Sequence, residues 1–257
     1  PSSLSFFSLD DTATIVATVK DSGGNVVPDS VVTWVSSAES VATVSSDGLV
    51  TAVATGSATI TAASGSASGS ASVTVTQVAS SVTLSPTNLS IGSIGATATL
   101  TPTVTDSLGA TIPGAAVTWV SSAESIATVS SGGLVTAVGN GTATITATSG
   151  AASATATTTV TQVASSVTLS PTSLSFALLA DTATLTATVK DAGGSAISGA
   201  TVTWSSSDTD IATVSSAGFV TAVGNGTATI TATSGAASAT ASATIDQVPN
   251  SVTLAPT

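Results

Sequence analysis

The sequence predicts an all-β chain built from three equal sandwich modules in tandem, and three observations carry that prediction. Trp34, Trp119 and Trp204 stand 85 residues apart, and Gln77, Gln162 and Gln247 repeat the same step, so one unit is copied three times without insertion or deletion. The apolar residues alternate with Ser and Thr at a period of two, which is the pattern of half-buried strands. Glycine-containing turn signals separate these short runs.

The third copy shows the elements in order. Residues 227–233, TATITAT, put Ala228, Ile230 and Ala232 on one face and four threonines on the other. Residues 182–189 and 202–204 behave alike, and branching at Cβ suits Thr and Val to a pleated surface. Turns fall at 191–194, 217–218, 224–226 and 234–235, and Asn225-Gly226 predicts a tight hairpin of the primed type. The strands expected are 166–176, 182–189, 202–206, 211–214, 219–223, 227–233 and 239–247. About seven short strands in about 85 residues is the signature of an immunoglobulin-like sandwich. Trp204 then lies on the third strand and points inward. The three tryptophans serve as core markers, with aliphatic residues such as Leu185 and Ile230 filling the space that a disulfide takes in antibody domains.

The predicted organisation is repeat 1 at 1–78, lacking its first-strand segment, repeat 2 at 79–163, repeat 3 at 164–248, and a further first-strand segment at 249–257. The phase of the copies gives the boundaries. Pro1 to Ser5 align with Pro86 to Ser90, so repeat 1 has no counterpart of Ser80-Ser81-Val82-Thr83-Leu84, whereas Ser251-Val252-Thr253-Leu254 supplies that segment again. The copies are nearly uniform: 138–156 is identical to 223–241. The chain is expected to be processed or to be a stretch of a longer array, since it has no initiator Met and no signal sequence.

Composition excludes several functions. Charged residues are 6% of the chain, against roughly 25% in an ordinary soluble domain, so hydroxyl groups must carry solubility. Thirteen acids against two lysines give a formal net charge of −11. Nucleic acid and anionic surfaces need clustered cations, and Lys20 and Lys190 are isolated. No run approaches the roughly 18 apolar residues of a membrane-spanning helix. With no His and no Cys, a nucleophile has no usual base beside it, and no catalytic, cofactor or metal site is predicted.

Residues 202–235, VTWSSSDTDIATVSSAGFVTAVGNGTATITATSG, resemble the group 2 bacterial immunoglobulin-like domain in the V-T-W-S-S strand, the I-A-T-V strand, the G-x-V-x-A turn and the G-x-A-x-I-x-A strand. The copies at Val32 and Val117 match as well, and the S-V-T-L-S-P openings at Ser81 and Ser166 resemble the family's first strand. The resemblance covers essentially the whole chain. It implies a structural role as a stalk or spacer, extracellular, on a bacterial cell surface or in a fibre. The alternative it leaves open is a binding module, an adhesin or phage tail or capsid decoration that makes weak multivalent contacts with a glycan or host ligand.

Asp21, Asp106 and Asp191 keep register in all three copies and read as caps of a turn after the second strand; a calcium site needs several converging oxygen ligands, and no such set repeats. Asp208 and Asp210 occur in one copy only and read as turn chemistry. Lys20 and Lys190 read as solvated strand ends, and not as partners in an isopeptide crosslink, because Thr105 stands in register with them. Asn88, Asn140 and Asn225 match a glycosylation sequon, the last two at turns that call for Asn-Gly for backbone reasons. Leu4 and Phe6 face the core while Phe7 points the other way, as a contact between repeats or between chains. Val252 and Leu254 have the alternation to fill a gap in a sheet by strand addition. The expected partners are therefore further repeats or copies of the same chain, joined head to tail by strand continuity or complementation.

Overall fold

The computed structural model describes residues 2–249 and 251–254, and every described element is a β-strand. Repeat 1 contains β1 (Ser3–Phe6), β2 (Thr12–Thr14), β3 (Thr33–Ser36), β4 (Ala42–Val44), β5 (Leu49–Ala52), β6 (Gly56–Ser64) and β7 (Ala67–Val75). Repeat 2 contains β8 (Ser81–Ser85), β9 (Asn88–Ile91), β10 (Thr97–Thr99), β11 (Thr101–Thr105), β12 (Thr118–Ser121), β13 (Ala127–Val129), β14 (Leu134–Ala137), β15 (Gly141–Ser149) and β16 (Ala152–Val160). Repeat 3 follows with β17 (Ser166–Ser170), β18 (Ser173–Phe176), β19 (Thr182–Thr184), β20 (Thr186–Lys190), β21 (Thr203–Ser206), β22 (Ala212–Val214), β23 (Phe219–Ala222), β24 (Gly226–Ser234) and β25 (Ala237–Ile245).

Repeat 2 shows how the strands form two layers. One layer is the four-stranded sheet β12-β15-β16-β9, antiparallel except for the parallel pair β16 and β9. The facing layer joins β8 to β11 and β10 to β14 and β13. Strands β10 and β11 are one extended run that changes partner at Leu100. Its side chain is fully buried and its N–H donates to Gly133 O at 2.9 Å. The repeat's opening run likewise serves both layers: β8 pairs with β11, and after Pro86 the chain crosses to pair β9 with β16. Each run expected as one strand in repeat 3, at 166–176 and at 182–189, is therefore two, because one strand length is shared between two sheets.

The alternation read from the sequence fills the space between the layers. Along β15, Ala143, Ile145 and Ala147 are buried and the threonines between them face outward. Ile145, Leu100, Val135 and Val160 lie at the centre of repeat 2, and equivalent clusters form around Ile60 in repeat 1 and Ile230 in repeat 3.

Two expectations need correction. Each Trp packs against the core of its own repeat but is only half-buried, because β3, β12 and β21 are edge strands; the indole closes the rim of the sandwich against a glycine turn. At Gly133, whose φ is +80°, an added Cβ would come within 2.4 Å of Leu100 O and 2.9 Å of Trp119 Cζ2. Asn140-Gly141 and Asn225-Gly226 do not close hairpins either. They sit where the chain crosses from β14 to β15, or from β23 to β24, between sheets, and neither Asn has the positive φ that a primed turn requires. The tight hairpins join β15 to β16 and β24 to β25, where Gly150 and Gly235 adopt φ near +58°.

Candidate functional site: the joint between repeats

The last strand of each repeat reaches the next repeat through a five-residue connection, 76–80 or 161–165. Two glutamines stand in these connections, and each reaches an aspartate of the following repeat. At the first joint Gln77 Nε2 donates to Asp106 Oδ2 at 3.0 Å, and the Leu9 N–H donates to the same oxygen at 3.0 Å. At the second, Gln162 Nε2 and the Ile94 N–H both donate to Asp191 Oδ2 at 2.9 Å. The glutamines also reach Thr111 O and Ala196 O in the turn that the aspartate opens.

Each carboxylate divides its two oxygens between two tasks. Oδ1 of Asp106 accepts from the Leu108 and Ala110 N–H groups, and Oδ1 of Asp191 accepts from the Ser195 N–H. This is the turn cap expected from the sequence. Oδ2 is given over to the neighbouring repeat, and that role was not legible from turn chemistry. Asp106 and Asp191 are each only 2% exposed, whereas Asp21 is exposed and directs both oxygens to its own turn, through the Gly23 and Asn25 backbone and the Asn25 side chain.

Hydrogen bonding decides the charge state of the joint. Burial pushes the Asp106 carboxyl up, but the Gln77 amide and the N–H groups of Leu9, Ala110 and Leu108 outweigh it and hold the group below the ordinary carboxylate value. For Asp191 the Gln162 amide is the largest influence and lowers it, burial opposes, and the Ile94, Ser195 and Gly193 N–H groups add to the lowering. Asp21 is lowered mainly by the Asn25 backbone and side chain.

The two joints differ in support. Asn140 Nδ2 donates to Gln162 Oε1 at 3.0 Å, and Asn140 Oδ1 accepts from the Gln162 N–H at 2.8 Å, so the second glutamine is held from behind. Thr55 occupies the equivalent place in repeat 1 and makes neither bond. The first joint instead has a hydroxyl contact of 2.6 Å between Ser8 and Ser107 and a shallow crevice lined by Phe7, Val78, Ala79 and Ser107. Phe7 is thus half-exposed at the boundary of two repeats, while Phe6 is buried and Leu4 packs partly against the first core. Phe219 is a further exposed aromatic residue, on β23, where the sequence reading had singled out Phe7 alone.

The remaining candidates stay apart from the joints. Asp208 Oδ1 accepts from the Asp210 N–H at 2.9 Å within a turn. Lys20 and Lys190 are exposed and form backbone bridges to Val26 and Ala196. Among the described residues no three acidic, His or Cys side chains converge as metal ligands would, and no helix is long and apolar enough to cross a membrane. Val252 and Leu254 are almost fully exposed; within the predicted segment 249–257, Asn250 and 255–257 lie outside the described residues.

A four-stranded sheet facing a second, smaller layer, repeated three times, defines a tandem protein of immunoglobulin-like β-sandwiches. The chain belongs to the bacterial Ig-like domain family, group 2, which matches residues 10–75, 78–160 and 163–245. Among solved structures it is similar to surface layer protein SbsC, domains 1–6, at 22% identity and a TM-score of 0.34 over 97% of this chain and 40% of that one. It is also similar to invasin, a bacterial integrin-binding protein, at 18% identity and a TM-score of 0.45 over 91% of this chain and 56% of that one. Protocadherin gamma C5 EC1–3 gives 12% identity and a TM-score of 0.40 over 95% and 98%. The chain thus spans about two-fifths of the SbsC structure that it matches. No curated protein matches the sequence.

Proposed function

We propose that this chain is a non-enzymatic spacer, a stretch of an extracellular bacterial surface stalk or fibre whose work is to hold a distance and resist bending. The observation that carries the reading is the joint: a buried carboxylate of one repeat accepts from a linker amide and a loop N–H of the repeat before it, at the same positions in both joints. Charged hydrogen bonds of this kind are stronger than neutral ones, and two donors on different segments fix orientation as well as distance. Short connections further restrict bending. Modules of roughly 35 to 40 Å each give a rod of roughly 110 Å.

The finer reading is that repeats are joined end to end by strand continuity, the first strand of each sandwich arriving directly from the linker. β8 and β17 are such strands: they begin within six residues of the preceding last strand and pack against the opposite sheet of the new repeat. A small-angle scattering profile tests the rod. The expected result is a maximum dimension near 110 Å that is sharply defined in the wild type and broadened in the double variant Asp106→Asn, Asp191→Asn. A compact particle, or a profile indifferent to both substitutions, would overturn the reading.

A further inference from the structure

The strand by which the chain crosses into each four-stranded sheet and the strand by which it leaves lie side by side and run in the same direction. In repeat 2 the chain arrives from the first joint through β8, crosses at Pro86 into β9, and departs for the second joint from the end of β16. β9 and β16 pair in parallel, with Asn88 facing Thr157 and Ile91 facing Val160. The bonding continues past both strand ends. The Thr157 N–H donates to Thr87 O at 2.9 Å, the Thr161 N–H to Ile91 O at 3.0 Å and the Val163 N–H to Gly92 O at 2.9 Å. Gln162, which grips Asp191 of repeat 3, stands between the last two donors. The exit segment is thus held to β9 up to the joint itself. Repeats 1 and 3 repeat the arrangement: β1 is parallel to β7 and β18 to β25, and the N–H groups of Thr76, Val78 and Asp246 donate to Phe6 O, Phe7 O and Phe176 O.

Strand direction matters when the chain is pulled. Tension drags the start of β9 back toward repeat 1 and the end of β16 forward toward repeat 3. Because the strands are parallel, the two pulls slide one along the other. Their hydrogen bonds run across the strands at even spacing, so all are loaded together. Ahead of this pair in the path of the force lies β8, which is also pulled lengthwise, along β11. Five residue pairs from Ser81 to Ser85 and the bond from the Ser80 N–H to Thr105 O at 2.8 Å hold it. Side chains add to the resistance: Val82, Leu84, Leu89 and Ile91 are buried, and a slip of one residue would turn them outward and bring Ser and Thr into the core.

We infer that each repeat is a tensile element, in which the parallel pair of entry and exit strands is a shear clamp that passes pulling force from joint to joint. This goes beyond holding a distance and resisting bending, and it rests on the spacer reading only for the direction of the force. The same geometry makes the clamp weak in another direction. Pulled crosswise, β9 peels from β16 one bond at a time.

Single-molecule pulling on the full chain tests this. The chain has no Cys, so introduced pairs define where force enters. Ser80→Cys with Ser165→Cys brackets repeat 2 at two exposed, equivalent positions and pulls it along the chain. Ser90→Cys with Thr142→Cys uses exposed positions on either side of Thr159 in one row of the sheet, and pulls the same repeat crosswise. The lengthwise geometry should unfold at about twice the crosswise force or more, because forced unfolding reads the unfolding barrier and not equilibrium stability. Thr161→Pro removes one clamp donor at an exposed position. It should lower the lengthwise force, where the bonds share the load, and scarcely change the crosswise force, where each breaks alone. Equal forces in the two geometries, or a Thr161→Pro effect of the same proportion in both, overturns the inference. Either result leaves the rod itself to the scattering experiment, which does not depend on how a repeat unfolds.

Discussion

Gln162 Nε2 and Asp191 Oδ2 meet at 2.9 Å across the boundary of two repeats, and Gln162 is itself gripped from behind by Asn140. The second joint is therefore a three-residue relay, whereas the first has only its last two members.

That difference predicts unequal play. Thr55→Asn should give Gln77 the support that Gln162 already has and narrow the angular spread of the first joint to that of the second. Spin labels placed on either side of each joint measure it: the wild type should show a broader distance distribution across the first joint than across the second, and T55N should equalise them.

Acid should loosen both joints. Asp106 and Asp191 are depressed in the folded chain, so their contribution is fully present above the unfolded carboxylate value of about 3.9 and is lost as pH falls through the lower folded value. The maximum dimension and its spread should be constant from about pH 5 to 8 and broaden below about pH 4. The double variant Asp106→Asn, Asp191→Asn should show a flatter response over the same range.

Gln162→Glu should reverse that sign at one joint. At neutral pH it sets a second carboxylate against Asp191, and two like charges at hydrogen-bond distance cannot both ionise freely. The second joint should be open at pH 7 and tighten as pH falls to about 4 to 5, where the shared proton restores a hydrogen bond. Distance measurements across that joint at the two pH values decide it.

Thr158 should be improvable. Its hydroxyl is fully buried without a hydrogen-bond partner, and the same position holds Val73 in repeat 1 and Ala243 in repeat 3. Thr158→Val removes an unsatisfied polar group while keeping the shape and should stabilise repeat 2 by about 1 kcal/mol or more. Thermal melting should show a rise of ~4–8 °C per kcal/mol for a module of this size.

Gly133→Ala should do the opposite. The left-handed φ and the approach of Leu100 O and Trp119 leave no room for a methyl group, so a loss of about 1–3 kcal/mol is expected, visible as a lower melting temperature and a shift in Trp119 fluorescence.

The repeat, the sandwich and its buried alternation were legible because period-two burial depends only on local residue order. What was not legible is where one run divides its length between two sheets: Leu100 and Leu185 look like any inward residue, and their neighbours' partners lie 16 to 39 residues away. The Trp positions were recognisable, but their half-buried state depends on β12 and its equivalents being edge strands, a property of the assembled sheet. At the joints, the aspartates and glutamines were each noticed for keeping register. Their pairing went unseen because an aspartate at a glycine turn is already explained by its own Oδ1. Spacing offered no signal either: Gln77 with Asp106 and Gln162 with Asp191 keep one separation of 29 residues, but so does every equivalent pair in an 85-residue repeat copied without insertion or deletion.

Since Asn140 and Thr55 stand outside both the core and the carboxylate contact, this position can vary without disturbing any module. Adding or losing whole copies changes reach, and a single substitution at this one place in each copy changes compliance. On the spacer reading proposed above, length and stiffness then change by two independent genetic routes, recombination for the first and point mutation for the second.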